Sequence, residues 1–116
     1  MRRLPHLTRD EFQRYWRDEH PKAAPPNALS ALGIRRYAQV FVLSEEVNAE
    51  LRDIRHGEEE FDGVAEIWLD GPEEYQQRWT SGKGLEAFRS FLDDETNFVD
   101  WSRSVFFLGE EITVVE

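Results

Sequence analysis

The stretch Leu7–His20 reads LTRDEFQRYWRDEH, and it decides how the fold begins. Thr8 followed three residues later by Glu11 is a capping box, the pattern that starts a helix. Ring-bearing side chains then recur at helical spacing on one face: Phe12, Tyr15, Trp16 and His20. Because a proline disfavours helical geometry in the residue before it, Pro21 predicts that this helix ends or kinks at His20.

Four apolar stretches rich in β-branched and aromatic residues follow the first helix. They predict strands over residues 34–43, 63–69, 104–108 and 112–115. A short helical piece before the first of them stops at Gly33. Gly71-Pro72 opens another helix with the proline in its first turn, and a further short helix over 85–92 ends at the acidic residues 93–95.

The order of these elements is helix, strand, strand, helix, strand, strand. It indicates an α+β fold with an antiparallel sheet and helices on one face. It matches a ferredoxin-like βαββαβ unit whose first strand is missing. Such a sheet leaves one face uncovered, and the predicted strands are apolar on both faces. We therefore expect a homodimer in which the two sheets pack face to face.

The length, charge and apolar content of the chain exclude several classes of function. The chain has 116 residues, of which 24 are acidic and 14 basic, so its formal net charge is −10. That length predicts a single domain over residues 1–116. The acidic balance argues against nucleic acid as a partner, and no apolar run is long enough to insert into a membrane. The N-terminus lacks the pattern of a secretory signal, so we expect a cytoplasmic protein.

Residues 44–62 carry eight acidic side chains against two arginines. The spacing of Val47, Leu51 and Ile54 allows a short amphipathic helix within this segment. We interpret the segment as a solvated connection with one helical piece. Its role, as a lid over a pocket or as a passive loop, stays open from sequence.

Three blocks of sequence resemble the EthD domain family, and together they span nearly the whole chain in that family's order. The blocks are LPHLTRDEFQRYW at 4–16 followed by His20, FDGVAEIW at 61–68 followed by Gly71-Pro72, and DDE at 93–95 followed by NFVD at 97–100 and Glu110-Glu111. One feature departs from the family pattern. Members usually begin with a strand that leads into the first helix, whereas in this chain only six residues precede Leu7.

The resemblance implies a dimeric α+β barrel. The family is named after a protein of a bacterial ether-degradation cluster, where it accompanies an oxidative system. Related fungal members resemble dehydratases, decarboxylases or cyclases of aromatic polyketides. The wider barrel superfamily also includes cofactor-free monooxygenases and haem-degrading enzymes. The reaction class therefore stays open between oxidoreductase and lyase or cyclase, because one fold hosts many chemistries.

His20, Asp94 and Glu95 are the candidate catalytic residues. A histidine titrates near neutral pH and serves as a general acid or base. Adjacent carboxylates can orient such a histidine or raise each other's pKa. The structural alternatives are that His20 caps its helix or bonds within the core, and that the acidic residues end a helix in solvent. Both interpretations stay open from sequence.

Aromatic residues make up 13% of the chain, and several of them could line a pocket between the sheet and the helices. The candidate substrate-binding residues are Tyr15, Trp16, Trp68, Trp79, Phe88 and Phe98. Three tyrosines could also donate a hydrogen bond to an oxyanion: Tyr15, Tyr37 and Tyr75. For any one of these residues, packing in the core is the alternative.

No cofactor or metal site is predicted. The three histidines, His6, His20 and His56, do not have the spacing of metal ligands, and there is no cysteine. We expect a cofactor-independent enzyme that acts on a hydrophobic aromatic or polyketide-like small molecule by dehydration, cyclisation or oxidation. The alternatives are a non-catalytic binding protein for a partner oxygenase and a dimerisation module without a ligand. Convergence of His20 with a carboxylate would favour the enzyme.

Overall fold

A computed structural model describes residues 1–116 as an α+β chain with a two-stranded antiparallel sheet. In chain order the elements are α1 (Arg9–Arg14), a π-helical turn (Tyr15–Glu19), α2 (His20–Ala23), α3 (Ala28–Ala31), β1 (Arg36–Phe41), α4 (Glu46–Arg55), β2 (Gly63–Trp68), α5 (Pro72–Trp79), α6 (Gly82–Glu95) and a 3-10 turn (Trp101–Arg103). None of the helices combines the length and the apolar character needed to cross a membrane.

The first helix begins as predicted, and at His20, where an end or a kink was predicted, a π-helical turn passes into α2. Thr8 and Glu11 form the reciprocal capping box. The chain does not leave helical geometry at His20 but continues to Ala23. In the π-helical turn the backbone N–H of His20 donates to the carbonyl of Tyr15. This widened turn places Pro21 in the first turn of α2, where its missing N–H costs no helical hydrogen bond.

The two strands pair in a register that gives the sheet two distinct faces. Arg36 lies opposite Trp68, and Phe41 lies opposite Gly63. Side chains alternate between faces along a strand. Tyr37, Gln39 and Phe41 contact Trp16, so they form the inner face, which packs on the first helix. The outer face carries Val40 and Val64, which are 43% and 44% exposed.

The predictions of strands at 104–108 and 112–115 were wrong. Both segments lie outside the sheet without regular structure, and Phe107 is 83% exposed. Their β-branched and aromatic residues favour extended backbone, but a strand also needs a neighbour to accept its hydrogen bonds. In the structure neither segment pairs with β1 or β2. The single chain therefore has two strands where a ferredoxin-like unit would have four.

The N-terminal residues form a short extended piece beside the end of α6. Arg3 makes an isolated antiparallel bridge with Val99. The backbone N–H of Leu4 donates to the carbonyl of Phe98 at 3.0 Å, and the ammonium of Met1 donates to the carbonyl of Gly63 at 2.7 Å. Residues 1–4 thus tie the start of β2 to the chain that follows α6.

Helix α6 is one continuous element from Gly82 to Glu95, longer than the predicted helix. It packs closely on α5 at Gly84, where a β-carbon would lie 1.9 Å from the carbonyl oxygen of Arg78. Only glycine permits that approach. This packing sets the direction of α6 and so carries Asp94, in its last turn, to the first helix.

The acidic segment contains the predicted helix, but its end is not solvated. Helix α4 spans Glu46–Arg55. Asp62, at the end of the segment, is only 4% exposed. It accepts hydrogen bonds from the backbone N–H and the guanidinium of Arg3 and from Nε of Arg9. The interpretation of the whole segment as a solvated connection was therefore wrong at Asp62.

Candidate functional site

His20 and Asp94 form a hydrogen-bonded pair between two helices. His20 lies at the start of α2 and is 7% exposed. Its Nδ1 lies 2.6 Å from Oδ2 of Asp94, which belongs to the last turn of α6. The π-helical turn before His20 and the close packing of α6 on α5 bring the two side chains together. The convergence of His20 with a carboxylate is thus present in the structure.

Two further residues hold the carboxylate of Asp94 in place. The hydroxyl of Tyr15 donates to Oδ1 at 2.7 Å, and Nδ2 of Asn97 donates to the same oxygen at 3.3 Å. Burial alone would raise the pKa of Asp94. The hydrogen bonds from Tyr15 and His20, together with the positive charge of protonated His20, outweigh burial and hold the pKa of Asp94 below its ordinary value.

The ionised carboxylate determines which nitrogen of His20 carries the proton. A carboxylate only accepts hydrogen bonds, so Nδ1 must be the donor. Nε2 then holds the free lone pair of the neutral imidazole. Nε2 makes no hydrogen bond within the chain, and every buried side-chain nitrogen or oxygen has a partner. Nε2 therefore keeps some contact with solvent, although the His20 side chain as a whole is only 9% exposed.

Aromatic rings surround the imidazole on its other sides. The rings of Phe98 and Phe91 lie 5.0 and 5.5 Å from that of His20, measured between centroids. Phe98 is fully buried and also contacts the rings of Phe12 and Tyr15. These contacts fix the plane of the imidazole and give the site an apolar wall.

Glu95 follows Asp94 in sequence but has a different environment. Its Oε1 accepts a hydrogen bond from Nε1 of Trp101 at 3.0 Å. Burial is the main cause that raises the pKa of Glu95 above its ordinary value. The positive charge of protonated His20 opposes that rise, and the charge of Glu95 in turn raises the pKa values of Tyr37 and Tyr75. The carboxylate of Glu95 therefore bonds to Trp101, whereas that of Asp94 bonds to His20.

The predicted aromatic pocket is divided in the structure. One buried cluster contains Trp16 and Phe98, and Tyr15 packs against it. Phe98 of this cluster contacts the ring of His20. Trp79 and Phe88 stack on each other in a second cluster, with ring centroids 5.1 Å apart.

Trp68 lies apart from both clusters. It is on the outer face of the sheet, with the guanidinium of Arg36 4.3 Å above its ring. The structure therefore does not bring Trp68, Trp79 or Phe88 together with His20.

The structure also contains a polar cluster that the sequence did not indicate. Arg3 and Arg9 both pair with the buried carboxylate of Asp62, and the Nε of Arg9 lies 3.1 Å from it. These hydrogen bonds outweigh burial and lower the pKa of Asp62. The partners are more than 50 residues apart in sequence, so no local spacing marks them. Their role is to join the N-terminus to the start of β2.

No group of three or more histidine, aspartate or glutamate side chains converges in a geometry that could hold a metal ion. Two clefts lie elsewhere, one beside Gly33 and Arg78 and one beside Arg2 and Arg103. Neither cleft is lined by His20 or Asp94.

Comparison with known proteins gives one match. The sequence model of a family described as the EthD domain matches residues 4–102 of the chain. This range includes His20, Asp94 and every residue that contacts them. No curated protein and no solved structure matches the chain.

Proposed function

The chain belongs to the EthD domain family, and on that basis, together with the His20–Asp94 pair, we propose that it is an acid/base enzyme that needs no cofactor. Its substrate is a hydrophobic, aromatic or polyketide-like small molecule. The observation that carries the proposal is the free Nε2 of His20 on an imidazole whose other nitrogen is held by Asp94. A histidine oriented by a carboxylate is a common arrangement for a general base.

The proposed step is removal of a proton from carbon next to a carbonyl group. The lone pair of Nε2 takes the proton, the C–H electron pair forms a carbon–carbon double bond, and the carbonyl electrons move to oxygen. The product is an enolate beside an imidazolium. Asp94 stabilises the imidazolium because its pKa is held low and its carboxylate stays ionised.

An enolate is the common starting point for the three reactions that the family suggests. Loss of a β-hydroxyl group from it, as water that takes its proton from the imidazolium, is a dehydration, and attack on a second carbonyl group closes a ring. Oxidation from the same enolate would use dioxygen as the oxidant, and only this route would make the protein an oxidoreductase. His20 has the same role in each case.

The proposal includes a homodimer in the cytoplasm that joins the outer faces of two sheets. Val40 and Val64 are directly paired on that face and exposed. A two-stranded sheet is marginally stable on its own. Packing of a second copy against this face would bury both valines and complete the barrel that the family resemblance implies.

The test uses 2-tetralone, a ketone with an aromatic ring and an acidic C–H group. It measures how fast the C1 protons of this ketone exchange for deuterium. We expect the wild-type protein to accelerate exchange above buffer, and His20→Asn to lose about 100-fold or more of that rate. His56→Asn is the matched control, since His56 is exposed. Equal rates in wild type and His20→Asn would contradict the proposal, and binding without exchange would indicate a binding protein.

A further inference from the structure

The hydroxyl group of Tyr37 has two neighbours that are both hydrogen-bond donors. Nε1 of Trp16 lies 3.0 Å from the Tyr37 oxygen, and an indole nitrogen can only donate. Nε2 of Gln39 lies 3.2 Å from the same oxygen. The Tyr37 oxygen therefore accepts from two sides.

The orientation of the Gln39 amide is fixed by a second contact. Nε2 of Gln39 also donates to the backbone carbonyl of Trp16 at 3.1 Å. A carbonyl oxygen can only accept, so the amide nitrogen, not the amide oxygen, must face Trp16 and Tyr37. The hydroxyl of Tyr37 consequently cannot donate to Gln39. Its hydrogen has no acceptor in the chain and is left for a ligand.

Tyr37 lies on the side of the sheet where His20 lies. Trp16, which donates to the Tyr37 hydroxyl, and His20 belong to successive turns of the first helix. Gln39, on the same face of β1, also donates to the backbone carbonyl of Trp16, so this face lies against the helix that carries His20. Tyr37 is half-buried, so its hydroxyl is partly shielded from competing water.

From this geometry we infer that the Tyr37 hydroxyl binds the oxygen atom of the substrate, which is an enolisable ketone fused or attached to an aromatic ring. The inference rests on the proposed acid/base function. As His20 removes the proton from carbon, negative charge develops on the carbonyl oxygen, and the Tyr37 O–H stabilises it by a hydrogen bond. Tyr37 keeps its own proton throughout, so no further reactant is needed. Trp16 and Gln39 act as positioning residues.

The retained proton agrees with the environment of Tyr37. Burial is the main cause that raises the pKa of Tyr37 above its ordinary value, against the opposing effect of the two donors. The phenol is thus a neutral donor at neutral pH. A donor already held by two other hydrogen bonds does not need to reorient when charge develops, which is the requirement for stabilising an oxyanion.

The test compares two ligands that differ at one position, where 2-tetralone has a carbonyl group and tetralin has a CH₂ group. We expect Tyr37→Phe to lower the ratio of 2-tetralone affinity to tetralin affinity about tenfold, because only the ketone accepts the hydrogen bond. Tetralin affinity should not change, which shows that the site still folds. An unchanged ratio in Tyr37→Phe would overturn the inference. Failure of wild-type protein to bind 2-tetralone would overturn it as well.

A second variant distinguishes the effect of the Tyr37 hydroxyl hydrogen from the effect of the Tyr37 ring. Gln39→Glu keeps Tyr37 but places a carboxylate acceptor beside its hydroxyl, so we expect the same fall in the affinity ratio. Retention of the wild-type ratio in Gln39→Glu would contradict the inference. Deuterium exchange at C1 reports separately on His20. If exchange is absent while the ratio falls in Tyr37→Phe, the ligand site stands and the enzyme proposal fails.

Discussion

Nδ1 of His20 lies 2.6 Å from a carboxylate oxygen of Asp94, a residue 74 positions later in the chain. The contact leaves Nε2 as the reactive nitrogen. It joins the first helix to the last turn of α6, so the same hydrogen bond that holds two elements together also sets the tautomer of the imidazole. A change of Asp94 to its amide, which can still bond to Nδ1, therefore tests the tautomer of His20.

Replacement of Asp94 by asparagine should lower the exchange rate of 2-tetralone about 100-fold or more. The amide can present its N–H₂ group to Nδ1, which moves the imidazole proton to Nε2 and removes the base. Asp93→Asn is the matched control, because Asp93 is the exposed neighbour on the same helix. Equal losses in the two variants would show that the pairing with His20 is unimportant.

Replacement of Glu95 by glutamine should stabilise the protein at pH 7. The folded state raises the pKa of Glu95, so it binds this proton more tightly than the unfolded chain does. Stability therefore falls as pH rises from the ordinary value of 4.5 through the folded value. We expect Glu95→Gln to melt a few degrees above wild type at pH 7, with the gap closing below pH of about 4.

Glu86→Gln serves as the control for this series, since Glu86 is exposed on the same helix. Thermal unfolding followed by circular dichroism gives the comparison. A Glu95→Gln variant that melts below wild type at pH 7 would mean that the negative charge of Glu95 stabilises the fold, the opposite of what its raised pKa predicts.

Replacement of Asp62 by asparagine should destabilise the protein at pH 7. It leaves Arg3 and Arg9 without their buried counter-charge. We expect a loss of about 2 kcal/mol, less than for a fully buried pair, because the arginines keep part of their contact with solvent. The pKa of Asp62 is lowered, so its stabilisation is present above the ordinary value of 3.8 and is lost as pH falls through the folded value.

Urea unfolding at pH 7 and pH 3 measures this effect. Asp70→Asn provides the comparison, since Asp70 pairs with Arg35 on the exposed surface at 2.9 Å and should contribute little. If both variants lower the free energy of unfolding by the same amount, the burial of Asp62 does not make its ion pairs more stabilising than the exposed pair.

A change on the outer face of the sheet should separate the two copies of the proposed dimer. Val64→Lys places a charge where we expect the partner's sheet to pack, and an unpaired buried charge is costly. Gln76→Lys adds the same charge at an exposed position on α5. Sedimentation equilibrium should give a dimer for wild type and Gln76→Lys and a monomer for Val64→Lys. A monomeric wild type, or a dimeric Val64→Lys, would refute the proposed interface.

Local signals predicted the elements that depend on local physics. The capping box of Thr8 and Glu11, the proline in the first turn of α5 and the glycine stop at Gly33 all have a cause within a few residues, and all are present. The strands at 104–108 and 112–115 failed because a strand requires a partner, which sequence propensity does not supply.

In the candidate site, too, local sequence predicted the residues but not their contacts. His20 and Asp94 were candidates by residue type and by family resemblance, but their pairing depends on the approach of α6 to α5 at Gly84. Trp68 was grouped with them because it is aromatic, and the register of β1 and β2 places it on the opposite face. The free hydrogen of Tyr37 depends on the orientation of Gln39, which only the contacts reveal.

The role of His20 is best tested by the ¹⁵N NMR spectrum of its imidazole, recorded before and after addition of 2-tetralone. We predict a neutral form with a proton on Nδ1 and a free lone pair on Nε2, and a ligand-induced shift that is largest at Nε2. A proton on Nε2 in the neutral form, or an Nε2 signal that does not respond while other residues shift, would contradict the proposed role of His20 as the base.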